Sequence, residues 1–402
     1  MANTSEPRAG GRLGAAVAIL DRLVAFDTTS SRSNLELIDW VADYLAGFGI
    51  AAERTAASAG KANLFATIGR PVGDGAGSGG VILSGHTDVV PVAGQEWHSD
   101  PFRLTERDGR LHGRGSADMK GFIALVLALV PEMASRPLLV PLHLAFTHDE
   151  EIGCFGAPAL IRALPTGTAR PLMAIVGEPT SMQIANAQKG CSFFRTRIAG
   201  HEGHSSAPDR GVNAIAAAAE MIGEIGRLHA EARARARPGS GFDPPHTTLS
   251  VGTIAGGSAV NIIARECAFD WDLRNLPDED ALTLKARIDR FISENLLPRM
   301  RAVYPPASVE TETIVAVPPL VPVPGSPAEA LARRLTGANT TTTVSFASEA
   351  GLYQEAGIPA IVCGPGSIDV AHKPDEFITR AELAEGQAFL DRLLEWARSG
   401  GG

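Results

Sequence analysis

The chain has 402 residues, 45% hydrophobic and 20% charged, which excludes a fibrous or disordered protein and is long enough for two cores. Thirty-six basic residues against 45 acidic ones leave a formal charge of −9, which disfavours a nucleic-acid surface and suits metal ions or cationic ligands. The longest apolar run, 122–130, is too short to span a bilayer, and the start MANTSEPRAGGRLG lacks the pattern of a secretory signal, so a soluble, cytoplasmic protein without membrane partners is expected. Cys154, Cys191, Cys267 and Cys363 lie far apart in sequence, a spacing that predicts buried thiols and not a disulfide framework or a thiolate zinc site.

Taken in order, residues 15–26 and 35–48 carry helical apolar spacing, the second pattern ending at Gly49. Residues 62–68 and 81–83 predict strands, joined by a Gly-rich stretch at 73–80 that is read as a flexible connector, because a phosphate-cradling loop opens a helix and here a strand follows. The next helix is expected at 122–130, before Pro131. An apolar run at 138–145 leads into FTHDEEIG, a short helix is predicted at 158–163, and a strand at 172–176 leads into VGEPTS. Repeated strand, polar turn and helix predict a mostly parallel α/β sheet whose sites gather at the carboxyl ends of its strands.

From about residue 188 the order changes to strand, helix, strand, strand, helix at 193–198, 212–228, 247–254, 268–273 and 282–296. An inserted smaller domain is therefore expected at 188–303, between catalytic segments 1–187 and 304–402, with the proline-rich 305–327 as the return connection. The basic stretch 227–237 is interleaved with Ala and Glu231 and reads as a solvated helix end. A helix at 328–335, a second one ending near Tyr353, a buried strand at 360–363 and a final helix at 380–398 complete the chain.

Chemistry concentrates where apolar runs stop. His86 and Asp88 in SGHTDVVPV lie two apart, a spacing that puts both on one face of an extended chain, where a carboxylate can fix an imidazole that binds a metal; a surface His beside a turn Asp reads the same. Asp118 in LHGRGSADMKG stands before a helix, as a cap or as a bridge between metals. Asp149, Glu150 and Glu151 follow a buried run, where three acids need cations or water around them. His86, Asp118, one of the paired Glu150 and Glu151, Glu178 and His372 make five ligands, which suit two zinc-like ions about 3.5–4 Å apart that share one carboxylate.

Over residues 17–394 these motifs resemble the co-catalytic zinc family that includes acetylornithine deacetylase, succinyl-diaminopimelate desuccinylase, glutamate carboxypeptidase and aminoacylase. The resemblance implies an α/β, zinc-dependent exopeptidase-like catalytic domain with an inserted α+β lid and dimerisation domain, and a homodimer formed through the insert. It implies two divalent ions, zinc first, with cobalt or manganese as substitutes. His86 and Glu178 would bind one ion, Glu151 and His372 the other, and Asp118 both; Asp88 would orient His86, and Glu150 would be the general base. A cis peptide is implied after Asp118. His148 and Asp149 receive no role.

In the insert, GHEGHSSAPDRGVNAI resembles the family's lid and dimerisation domain, which implies that His204 reaches a neighbouring active site and stabilises an oxyanion, a polar surface His being the alternative, while His201 reads as a polar surface residue. Asn261 in SAVNIIA and Arg274 in DWDLRNLPD match positions that hold a substrate α-carboxylate, although a structural ion pair also suits Arg274. GHSSAPDRGVNAI, ASEAGLYQEAGIP and CGPGSIDVAHKPDEF are most similar to acetylornithine deacetylase, which implies removal of acetyl from the α-nitrogen of ornithine. Glu349 would select a substrate with a terminal ammonium, or it is simply a helix-start acid. The alternatives are the desuccinylase, another N-acyl-amino-acid hydrolase, a metallo-carboxypeptidase or dipeptidase, and a metal-free binding protein of the same fold.

Overall fold

The computed structural model describes residues 11–55, 60–69 and 79–400; the polar start and most of the Gly-rich connector lie outside them. The chain divides into two units, the first formed by Met1–Asn186, Pro322–Thr342 and Ser348–Gly402, the second by Ala187–Val321 and Thr343–Ala347.

The first unit has an α/β fold around an eight-stranded mixed sheet. In spatial order its strands are Ala52–Thr55, Asn63–Ile68, Leu142–Thr147, Val81–His86, Met173–Pro179, Ala360–Gly364, Ala185–Gln188 and Thr342–Val344, the last two running on into residues of the second unit. The four central strands, from Leu142–Thr147 to Ala360–Gly364, are mutually parallel. Every residue of these four is buried, which is why they read as apolar runs and not as alternating patterns. Parallel pairing aligns their carboxyl ends, with His86 opposite Thr147, so the polar turns that follow emerge on one side.

The helix Lys120–Ser135 packs under this sheet, with every residue from Lys120 to Val130 buried. It runs through Pro131, where the sequence predicts its end. A proline leaves the carbonyl four residues earlier without its helical donor, and Tyr44 Oη donates to that oxygen, on Leu127, at 3.1 Å. Close packing also dictates Gly177: a Cβ there would lie 2.2 Å from the Phe122 ring.

The second unit is a four-stranded antiparallel sheet in the order Thr248–Gly256, Glu266–Arg274, Cys191–Ala199, Ser308–Val317. Along Glu266–Arg274 the buried residues alternate as Cys267, Phe269, Trp271 and Leu273, and they join the inner face of the helix Ala214–Ala234 in one core. Trp271 stacks on Phe194 at 4.1 Å and donates to Thr196 Oγ1 at 3.1 Å. The segment 305–327, expected to be a connection, contains the strand Ser308–Val317, a Thr/Glu alternation hidden between two Pro-Pro pairs. The helix expected at 282–296 is Ala281–Phe291, continued by a π-turn at Ile292–Leu296 and by Leu297–Val303. In the basic stretch, Arg227 pairs with Glu224 and Glu231, and Arg237 with Asp278 and Glu279, as on a solvated helix end.

Candidate metal centre

Five of the residues singled out from sequence meet at the carboxyl ends of the parallel strands. His86 is the last residue of Val81–His86, and Glu178 is the next to last of Met173–Pro179. Glu150 and Glu151 stand in the turn after Leu142–Thr147, and His372 in the long turn after Ala360–Gly364. Asp118 enters from the loop before Lys120–Ser135, and the peptide joining it to Met119 is cis.

Asp118 faces a histidine with each carboxylate oxygen. Its Oδ1 lies 3.0 Å from His86 Nε2 and its Oδ2 3.2 Å from His372 Nε2. Glu178 Oε2 lies 3.9 Å from His86 Nε2, and Glu151 Oε2 lies 2.9 Å from His372 Nε2. The ligand atoms of His86, Glu150 and Glu178 all fall within 4.8 Å of one another, as do those of His86, Asp118 and Glu151. Glu150 therefore stands as close to His86 as a ligand does.

Without a cation this arrangement is costly. Burial, reinforced by the neighbouring acids, pushes the carboxyls of Glu150 and Glu178 well above the usual range, and pushes Glu151 up to about 7. Burial also acts to raise Asp118, but hydrogen bonds from His372 and His86 hold it below the ordinary value. Glu178 Oε1 is buried without a protein donor. The buried His86 imidazole, the half-exposed His372 imidazole and carboxylate oxygens gathered near an orphaned acceptor make a donor set that fits divalent metal ions, and the two three-ligand groups share His86, with Asp118 between the two histidines.

Asp88 supports this centre differently from the expectation. Its main-chain oxygen, at 2.9 Å, bonds His86 Nδ1, whereas its carboxylate Oδ1 is 3.7 Å from that nitrogen. The carboxylate instead accepts from the amides of Glu150 at 3.0 Å and Glu151 at 3.3 Å and from Ser30 Oγ at 2.6 Å. Ser30 has no local sequence signal beyond the FDTTS turn. Cys154 Sγ donates to Glu150 Oε1 at 3.4 Å. His148 Nδ1 bonds Asp149 Oδ2 at 3.0 Å, and Asp149 also pairs with Lys61, so both residues hold the turn together.

Glu349 is 1% exposed and accepts from Ser84 Oγ at 2.9 Å. It occupies the N-cap position of Ala350–Glu355 but its side chain caps nothing there. In the second unit, His204 is exposed, its Nδ1 2.7 Å from Ser206 Oγ, and the Ser205 amide donates to the Asn261 carbonyl at 3.1 Å, so His204 and Asn261 are neighbours. Arg274 pairs with Asp272 at 3.1 Å and lies over the Phe193 ring. His201 stacks on Tyr304 at 4.4 Å, a packing role.

The sequence matches the model of peptidase family M20/M25/M40 over residues 82–396. It is 38% identical to an acetylornithine deacetylase of Proteus mirabilis over 380 residues, 92% of each chain. In structure it is similar to an M20 family metallo-carboxypeptidase of Sulfolobus solfataricus, with a TM-score of 0.72 at 16% identity over 96% of this chain and 99% of that one. A dinuclear metal-binding peptidase of the same family from Bacillus subtilis gives a TM-score of 0.65 at 17% identity, covering 98% of this chain and 100% of its own. With a family match across most of its length and a fold to accompany it, the chain belongs to peptidase family M20/M25/M40 and is a metal-dependent hydrolase of the peptidase and amidohydrolase kind.

Proposed function

We propose that this protein hydrolyses N-acetyl-L-ornithine to acetate and L-ornithine. The observation that carries the hydrolytic part is Asp118, whose two oxygens face His86 and His372 beside the paired acids Glu150 and Glu151. The substrate is inferred from the 38% identity to an acetylornithine deacetylase along 92% of both chains.

His86 and Glu178 would hold one divalent ion, Glu151 and His372 a second, and Asp118 both. Bound there, the ions would supply Lewis acidity toward the acyl carbonyl and toward water. Zinc suits the mixed imidazole and carboxylate donors, with cobalt and manganese as substitutes. Glu150 is the general base: it takes a proton from the water that attacks the acyl carbon and returns it to the nitrogen as the C–N bond breaks.

Asn261 and Arg274 would hold the substrate α-carboxylate, Arg274 exchanging Asp272 for that ligand, and Glu349 would meet the terminal ammonium. His204 would donate to the developing oxyanion of a neighbouring subunit's site. A homodimer through the second unit is supported by its sparsely covered edge, where Thr248–Gly256 is an outer strand and Ile254, Val260 and Ile262 are exposed. Among the described residues no helix is long and apolar enough to cross a membrane, and we place the enzyme in the cytoplasm, serving arginine biosynthesis.

The test is initial rates on metal-loaded and chelator-stripped protein with N-acetylornithine, succinyl-diaminopimelate, acetylmethionine, acetylglutamate and a dipeptide. Metal-dependent turnover led by acetylornithine is expected. A different leading substrate would keep the machinery and replace the assignment. No turnover and no bound metal would favour a binding protein, and sedimentation of the same samples reads the dimer.

A further inference from the structure

Glu376 lies four residues beyond His372, and no step above uses it. It is 1% exposed, yet both of its carboxylate oxygens are fully engaged. Oε1 accepts from the amides of Ala117 at 2.9 Å and Asp118 at 3.1 Å. Oε2 accepts from the amide of Gly115 at 3.1 Å and from Arg114 Nη1 at 2.6 Å. One carboxylate thus gathers three amides of the loop that presents Asp118.

Its buried partner Arg114 extends the connection. Nη1 also donates to the Lys373 carbonyl at 3.3 Å, and Nη2 donates to Gln95 Oε1 at 2.5 Å. Gln95 Nε2 in turn donates to the His372 carbonyl at 2.8 Å. An unbroken series of hydrogen bonds runs from the Asp118 amide through Glu376, Arg114 and Gln95 to the backbone of His372. That backbone needs holding: His372 has φ +61° and its side chain is 48% exposed, so little packing fixes the imidazole. His86 is oriented separately, by the Asp88 carbonyl.

We propose that Glu376 and Arg114 are a positioning pair that sets Asp118 against His372, and that the pair governs metal affinity at the position shared by Asp118, Glu151 and His372 more than at the position of His86 and Glu178. The inference rests on Asp118 and His372 being metal ligands. Glu376 has both oxygens bonded and Arg114 makes three bonds through Nη1 and Nη2, its Nε alone being unpartnered, and buried charges tied this many ways rigidify what they touch. Residues that orient ligands commonly govern affinity by about 10–100-fold.

The test is calorimetric titration of chelator-stripped full-length enzyme with Mn²⁺ and with Zn²⁺, comparing wild type, Glu376→Gln and Gln95→Ala, together with amide hydrogen exchange of the metal-free proteins. Wild type should take up two ions per chain. Each variant should weaken one binding step about 10–100-fold and leave the other within about threefold. Glu376→Gln should also speed exchange at the amides of Gly115, Ala117 and Asp118 without changing that of Val81–His86. Wild-type affinities in both variants, or equal weakening of both steps, would overturn the inference. If Glu376→Gln does not fold, Gln95→Ala, at a half-buried site, decides it alone. Wild type that binds no ion would instead overturn the ligand assignment, and the inference with it.

Discussion

Asp88 holds His86 with its main-chain oxygen and leaves its carboxylate for others: the ring Nδ1 is 2.9 Å from the carbonyl and 3.7 Å from the nearer carboxylate oxygen. A carbonyl can only accept, so it fixes Nδ1 as the protonated nitrogen and leaves Nε2 free to coordinate. The carboxylate spans the amides of Glu150 and Glu151 and the Ser30 hydroxyl. Its task is the placement of the two acids.

Asp88→Asn therefore separates the two roles. The carbonyl is unchanged, so metal uptake at His86 should persist, while an amide group facing two N–H donors should displace Glu150 and Glu151. We expect kcat to fall about 10–100-fold, the size typical of lost outer-shell support, with metal content measured in parallel. Loss of the His86-side ion with kcat per bound metal unchanged would show that the carboxylate serves His86 after all.

Glu150 and His372 should fail in different ways. Glu150→Gln keeps the shape of the side chain but cannot take a proton, so it should retain two ions and lose about 10²–10⁴-fold in kcat. His372→Ala removes a proposed ligand and should leave one tight ion. Because Glu150 stands within ligand distance of His86 and Glu178, metal content decides between base and ligand. If Glu150→Gln binds only one ion, Glu150 is a ligand.

How much of this was legible in the sequence follows from the range of each interaction. The four central strands are buried on both faces, and three of them end at His86, Glu178 or the acidic turn, so apolar runs with polar ends disclosed the sheet and the polar residues gathered at its carboxyl ends. Ser308–Val317 was lost because prolines flank it on both sides, and the helix past Pro131 because its rescue comes from Tyr44, 83 residues away. The motif HKPDEF was visible, but the partners of Glu376 are main-chain amides 258 to 261 residues earlier, and no side-chain pattern records them. Only the fold brings Ser30 to Asp88.

Acid stability should depend on His143. Its ring is buried, donating from Nε2 to the Gly79 carbonyl at 2.7 Å and meeting Thr67 Oγ1 at 2.9 Å from Nδ1, and burial lowers its pKa from the ordinary 6.5. Above pH 6.5 the ring is neutral folded or unfolded, and its contribution to stability is complete. As pH falls below 6.5 the unfolded chain takes the proton first, and stability declines by up to about 1.4 kcal/mol per pH unit until the lower folded value is reached. In denaturant titrations at pH 7.5 and 5.5, His143→Gln should be less stable than wild type at pH 7.5 and lose less on acidification. Parallel losses in the two proteins would count against this role.

Glu349 is the residue we propose to select the substrate. A carboxylate 1% exposed, raised by burial and bonded to the Ser84 hydroxyl, has lost water without gaining a direct ion-pair partner among the described residues, and a substrate ammonium would supply one. Glu349→Gln keeps the volume and removes the charge. We expect kcat/KM for N-acetylornithine to fall about 10–100-fold and that for acetylnorvaline, which lacks the ammonium, to change by less than about threefold. Equal losses on both substrates would mean that Glu349 acts through the nearby His86, whose charge it feels, and unchanged discrimination would leave it a structural acid at the head of Ala350–Glu355.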